Sequence, residues 1–400
     1  MLYQILFQKE QVSKSTPARG VINLKVVISS VGRFRFYLAR QLNRMGYLER
    51  IFTGYPMWKV DDDLREKTSS FPWVVTPQMA LYRYGYQNIA DRLSLPATHT
   101  LDHWVASRLP NCDVFVGLSQ SGLYTIRAAK KRGIKTVCER SSSHIVAQNE
   151  ILIEEHQRQN IPFKGIAQWA IEKELQEYAE ADLIKVPSTF AYETFIQHQV
   201  PKQKLVIVPL GADLRLFHPL SKEDRTFRIL YAGMMSARKG VVYLLQAMAN
   251  VKYPDVETLL LGSILNEFRP ALRKYAGAFR YGGVVPRAKL SWYYSQASVF
   301  VMPSVEEGLA TVMAQAMACG VPVIATANSG AKDLFTNGVE GFIVPIRAPD
   351  AIQEKIQFLY ENPIIREQMA HAALRRVQSM GGWDEHGKRA VEAFRTLLQN

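Results

Sequence analysis

Short apolar runs of strand length alternate with helix-length stretches of mixed polarity along most of this 400-residue chain. Runs such as VFVM before Pro303 are continuous in apolar residues, as strands buried on both faces of a parallel sheet should be. Strands are predicted at 24–30, 113–117, 135–138, 182–187 and 205–208 in the first half. In the second half they fall at 228–231, 257–262, 299–302, 321–325 and 338–345. Helices are predicted at about 33–45, 121–131, 171–181, from 240 or 241 onward, 310–318, 349–361, 366–380 and after Trp383. The alternation predicts α/β architecture built on parallel, doubly wound sheets. Gly211 is expected to supply a turn that other residues resist. Phe52, Tyr55, Trp58, Phe71 and Trp73 read as an aromatic core cluster, with the lining of a ligand cleft as the alternative.

Composition narrows the class. At 48% hydrophobic residues, 400 positions suffice for two cored domains. No run of about 18 apolar residues is present to span a membrane. The opening MLYQILFQ lacks a preceding basic region and is broken by Lys9 and Glu10, so it is not read as a signal peptide. Residues 1 to about 22 are expected to form a loosely held leader. Cys112, Cys138 and Cys319 are odd in number and widely spaced, which suits a reducing cytoplasm and offers no metal spacing.

Charge adds a second expectation. The net charge is +13, and ten Lys or Arg against Glu10 and Glu49 place +8 of it in the first 60 residues. Arg33, Arg35, Arg40 and Arg44 are interleaved with Phe34, Phe36, Tyr37 and Leu38, which suits an amphipathic helix on an anionic membrane surface. A solvated basic face is the plainer reading. A nucleic-acid partner is not favoured, because no recognised binding module accompanies the charge.

Candidate chemistry gathers at strand-to-helix turns. Pro303 and Ser304 stop one strand, Gly308 lets the chain turn closely, and the next helix starts near Ala310. Its first N–H groups and dipole make a ready phosphate site. Glu307 sits just ahead of that site, and Gln315 lies eight residues later. A second turn, 232–240, brings adjacent Arg238 and Lys239 to a helix start, which would clamp a diphosphate. In the first half, Gly32 lies in the first strand–helix turn, and His144 ends a polar run following a strand. Both are places where open α/β sheets bind ligands. A solvated loop acid, an exposed basic turn and a structural histidine remain the plainer alternatives.

Residues 303–324 resemble the signature of retaining glycosyltransferases of family 4, which have the GT-B fold. Glu307, Gly308, Leu309, Ala316, Met317, Ala318, Cys319, Gly320, Val321, Pro322 and Val323 match in register. Ala310 replaces the family's second Gly, and Gln315 replaces the second Glu, which holds the ribose hydroxyls. Gln still offers an acceptor and two donors to a diol, without the charge. Lys239 matches the family's Lys, Met234 stands in place of its Arg, and Arg238 substitutes. Residues 181–188 and 209–219 resemble the family's domain junction, and 281–286 the segment whose backbone recognises the nucleotide base. The resemblance covers about residues 24–398, with its specific motifs concentrated after 180.

The resemblance implies two Rossmann-like domains facing across a cleft. Residues 1–200 would bind a glycan or lipid-linked acceptor, 201–381 the nucleotide diphosphate sugar, and 382–400 would pack back onto the first domain. Glu307, His144 and Lys239 would be catalytic. Arg238, Lys239, Gly32, Gly283, Val284, Glu307, Gly308, Leu309, Ala310, Thr311 and Gln315 would bind the donor. No cofactor or bound metal is implied, and bacterial cell-surface polysaccharide synthesis in the cytoplasm or on its membrane face is the expected setting. A GT-B nucleotide-sugar hydrolase or epimerase and a non-catalytic sugar-nucleotide or membrane-binding protein stay open.

Overall fold

Val26, Val27 and Ile28 are successive residues with no exposed surface, as are Val299, Phe300 and Val301. Burial of consecutive residues requires packing on both faces of a sheet, which parallel strands with crossover helices provide. The computed structural model describes residues 24–399, apart from 33–35, 84–85, 250 and 252. The leader at 1–22 and the residues Arg33, Phe34 and Arg35 of the basic helix lie outside the described residues.

Two wholly parallel sheets organise the described chain. The first contains β1 (Val26–Ser30), β2 (Leu48–Thr53), β3 (Thr68–Ser70), β4 (Val114–Leu118), β5 (Lys135–Glu139), β6 (Leu183–Val186) and β7 (Leu205–Ile207). Their spatial order is β3-β2-β1-β4-β5-β6-β7. The second contains β8 (Phe227–Ala232), β9 (Val256–Leu261), β10 (Arg280–Tyr281), β11 (Val299–Met302), β12 (Val323–Thr326) and β13 (Gly341–Val344), ordered β10-β9-β8-β11-β12-β13. Each sheet therefore reverses its strand order once, between β1 and β4 and between β8 and β11. Those reversals leave open crevices at the strand C-termini. Val27, Phe52, Phe115, Cys138 and Ile184 build the core on one face of the first sheet, while Ile28, Ile51, Val116 and Val137 build the other.

Several expectations shift. β7 pairs in register with β6, so the first unit runs through residue 207 instead of ending near 200. Gly211 is needed for closeness, not for a left-handed turn: a Cβ there would overlap the backbone of Gly382 and Trp383 where the chain crosses back. Helix Gly382–Gln399 then packs on helix Phe36–Arg44, with Val391 and Phe394 sharing a core with Phe36, Leu38 and Leu42. The described part of the basic helix thus buries its apolar face inside the protein. Arg40 pairs with Asp61 and Asp63, and Arg44 lies 3.6 Å from Asp384. Phe52 and Phe71 do pack on Trp104, but Trp58 and Trp73 are about three-quarters exposed and do not belong to the core.

Candidate active site at the facing crevices

The two crevices face each other. Ser30 ends β1 and Gly32 follows it, Leu118 ends β4 and Ser141 follows β5; Arg238 follows β8, and Glu307, Leu309 and Thr311 follow β11. Together they line one cleft of about 320 Å³, large enough for a compact polar ligand. Gly308 shows how closely the two sides meet. A Cβ there would overlap the Ser141 carbonyl oxygen and press on Pro187, both across the cleft. The Ser188 hydroxyl donates to the Gly308 carbonyl from the same side.

The second unit carries the charge. Helix Thr311–Ala318 has Ala310 as its N-cap, with no side chain capping it, and Thr311 opens onto the cleft. Lys239 is ion-paired with Glu307, and Arg238 with the neighbouring Glu306. Burial and the adjacent Arg238 guanidinium push the Lys239 ammonium down to about 7. A diphosphate entering here would meet two cations and a helix N-terminus, and would compete with Glu307 for Lys239.

The first unit offers neutral hydroxyls and backbone, held from behind by buried ions. Arg140 donates to the Ser143 carbonyl at 2.9 Å, to Gln148 at 2.6 Å and to Glu174 at 2.9 Å. Glu177 accepts the N–H groups of Gln120, Gly122 and Leu123 at 2.6–3.1 Å, beside Lys173 and Asp102. Burial pushes its carboxyl up to about 8 in spite of those bonds.

Of the expected site residues, Gly32, Arg238, Glu307, Leu309 and Thr311 line the cleft, Lys239 adjoins it through Glu307, and Gly308 and Ala310 lie between lining residues. Gly283 and Val284 follow β10, two strands from β8 and so about 10 Å along the sheet. Gln315 lies farther along its helix, where its amide oxygen accepts from the Tyr294 hydroxyl at 3.1 Å.

His144 is a correction. It is 2% exposed, stacks on His198 with ring centroids 4.3 Å apart, packs edge-on against Phe195, and its Nδ1 caps helix Ile145–Arg158 by accepting from Val146. The helix start turns its ring into the first unit and away from the cleft. Glu306 is the residue that the sequence reading passed over. Two adjacent acids look alike in sequence, and only the fold shows that one faces the cleft while the other enters the opposite unit. Among the described residues no three His, Cys, Asp or Glu side chains group as a metal site. No described helix is long and apolar enough to cross a membrane.

The chain is similar to known glycosyltransferases in sequence and in fold. Residues 215–376 match the family "Glycosyl transferases group 1". That stretch holds the Arg238, Lys239, Glu306 and Glu307 loops. A D-inositol 3-phosphate glycosyltransferase of Pseudarthrobacter chlorophenolicus is 28% identical over 54% of this chain and 56% of its own length. The capsular polysaccharide biosynthesis glycosyltransferase CapM of Staphylococcus aureus is 27% identical over 54% of this chain and 62% of its own. The chain thus spans about half the length of the curated relatives it matches. Among solved structures, sucrose-phosphate synthase from Thermosynechococcus elongatus superposes with a TM-score of 0.72 at 20% identity, covering 94% of this chain and 99% of that one. Anabaena HepE in complex with UDP gives 0.69 at 15% identity, covering 93% and 100%. The fold is therefore GT-B, two Rossmann-like units across a cleft.

Proposed function

We propose that the protein is a retaining glycosyltransferase of family 4 that moves a sugar from a nucleotide diphosphate sugar to a glycan or lipid-linked acceptor. The observation that carries this reading is the meeting of Lys239, Arg238, Glu307 and the Thr311 helix start with the hydroxyl-lined crevice of the other unit in one cleft. Sugar transfer leaves a diphosphate whose growing charge must be neutralised, and preorganised cations and N–H groups supply that stabilisation. Lys239, Arg238 and the helix dipole do so in this reading, and no metal is called on. Glu307, released from Lys239 by the incoming diphosphate, would hold the donor sugar's hydroxyls. Gln315 would face the ribose, and the backbone at Gly283 and Val284 the base. The leaving phosphate would guide the acceptor to the face it departs from, giving retention without a side-chain nucleophile.

The capsular polysaccharide relative supports a role in bacterial cell-surface glycan synthesis, and three free thiols fit the reducing cytoplasm. An anionic membrane remains part of the proposal only through residues outside the described helix, since its described apolar face is covered. A second reading, a protein that binds sugar nucleotides without turnover, draws on Met234 and Gln315, which replace a cation and an anion of the family pattern.

A panel of UDP-, GDP- and ADP-sugars tests both, by thermal shift and by turnover, with Lys239→Ala alongside. One nucleotide series should raise the melting temperature and be consumed, and the variant should lose both effects. Binding without consumption at any acceptor tried supports the second reading, and no binding at all sinks both.

A further inference from the structure

Glu306 has no exposed surface, and a buried carboxylate is costly unless every lone pair is engaged. Here they are. Oε1 accepts from the Ser142 hydroxyl at 2.6 Å, the Ser143 N–H at 3.1 Å and the Ser143 hydroxyl at 2.7 Å. Oε2 accepts from the Gln148 amide at 2.9 Å and from Arg238 Nε at 2.8 Å. Four of these donors belong to the first unit, and one, Arg238, to the unit that carries Glu306. Burial opposes ionisation, yet Arg238 and the serine donors hold the carboxyl down at about 2.

Arg238 is fixed by the same cluster. Its Nε lies on Glu306 and its Nη2 donates to Ser142 at 3.0 Å, across the cleft. Nη1 makes no hydrogen bond among the described residues, and the side chain lines the cleft. The Ser142–Gln148 segment on the opposite side is held in turn, because Arg140 donates to both the Ser143 carbonyl and the Gln148 amide oxygen.

We propose that Glu306 is a positioning residue, which aims Arg238 at the leaving diphosphate only while the Ser142–Gln148 segment of the first unit is docked against it. This rests on the donor reading above. Separation of the units strips Glu306 of four donors and Arg238 of Ser142, and the guanidinium is no longer held at two nitrogens. Charge neutralisation is thereby tied to contact between the two units, so that the diphosphate is fully stabilised only when the acceptor side is in place.

A double-mutant cycle reads this coupling directly. In the wild type, Arg238→Ala should lower kcat roughly 10²-fold, the scale expected of one misaimed catalytic group. In a Glu306→Gln background, where Arg238 is already unaimed, the same change should cost less than about threefold. Ser142→Ala/Ser143→Ala, made on the other unit and leaving the Arg238–Glu306 pair intact, should lower kcat more than it weakens binding of the matching nucleoside diphosphate. That variant carries the test should Glu306→Gln not fold. Equal Arg238→Ala losses in both backgrounds, or unchanged kcat in the serine variant, overturn the inference while leaving nucleotide binding intact. A wild type that binds no nucleoside diphosphate strikes the donor reading, and this inference with it.

Discussion

The two sheets share one topology and differ in what they present at the same place. At the β1/β4 reversal the cleft wall is Ser30, Gly32, Leu118 and Ser141, without a charged side chain; at the β8/β11 reversal it is Arg238, Glu307, Leu309 and Thr311, with Lys239 behind. Strand order makes a crevice in both, but side chains decide what enters it. The neutral wall suits a polyhydroxylated ligand, and the charged wall suits a diphosphate. The first unit does hold many charges, yet Asp102, Glu139, Arg140, Lys173, Glu174 and Lys185 are buried behind its wall and paired there.

The largest expected effect comes from pushing the walls apart. Gly308→Val must displace the Ser141 carbonyl, which a Cβ would overlap. Transfer should fall by roughly 10²-fold or more, since a shift near 1 Å has that scale. Nucleoside diphosphate binding, which the proposed function places mainly on the second unit, should change only a few-fold. If turnover survives intact, the walls do not work together, and the comparison loses its functional meaning.

How legible each wall was in the sequence follows from this difference. The charged wall sits in a contiguous motif, Pro303 to Ile324, and in the adjacent Arg238-Lys239 pair, so its residues could be named from those strand-to-helix turns together with the family resemblance they carry. The neutral wall consists of serines, a glycine and a leucine from three separated turns, residue types that occur in any loop. The strand β2 and the edge strand β3 lie hidden beneath an apparent aromatic cluster, because the run from Leu48 to Thr53 carries Glu49 and Arg50 at half-buried positions. His144 was misplaced for a different reason. Sequence located it correctly in the polar run that follows a strand, but a helix cap and an aromatic pocket, built from Phe195 and His198 some fifty residues away, turned its ring inward.

pH separates the walls next. Lys239 lies at about 7 in the free protein, lowered by burial and Arg238. A bound diphosphate favours the charged ammonium and raises that value. Affinity should therefore be full below pH 7 and decline as pH rises through it, by up to about tenfold per unit. A nucleotide sugar is the suitable ligand, because its diphosphate has no titration near neutrality. Calorimetry in buffers of different ionisation enthalpy should show proton uptake at pH 8, absent in Lys239→Met. Affinity that is flat from pH 6.5 to 8.5 would count against the clamp.

His144→Phe sharpens the comparison from the neutral side, and its effect should be on stability. Burial, then His198 and Arg140, push the imidazole down to about 3. The unfolded chain binds a proton near pH 6.5 that the folded one excludes, so stability is full above 6.5 and is lost as pH falls toward 3. At neutral pH the variant should lose about 1 kcal/mol with the helix cap. Below pH 5 it should close that gap or overtake the wild type in melting temperature. Donor KM should not move. A donor KM raised tenfold at pH 7.5 with an unchanged melting temperature would return His144 to the cleft.

The smallest effect is expected at Gln315, within the charged unit but away from its charges. One lone pair of its oxygen is engaged by the Tyr294 hydroxyl, which leaves the amide nitrogen and a single neutral lone pair for a ribose. Gln315→Glu keeps an acceptor for Tyr294 and adds an ionised oxygen able to receive a hydroxyl donor. One charge-assisted hydrogen bond, reduced by the cost of burying the carboxylate, should tighten nucleoside diphosphate binding by about three- to tenfold. The gain should vanish for the 2′,3′-dideoxy nucleotide, which offers no hydroxyl there. Equal gains for both nucleotides would mean that the new charge acts at long range, and that Gln315 does not face the ribose.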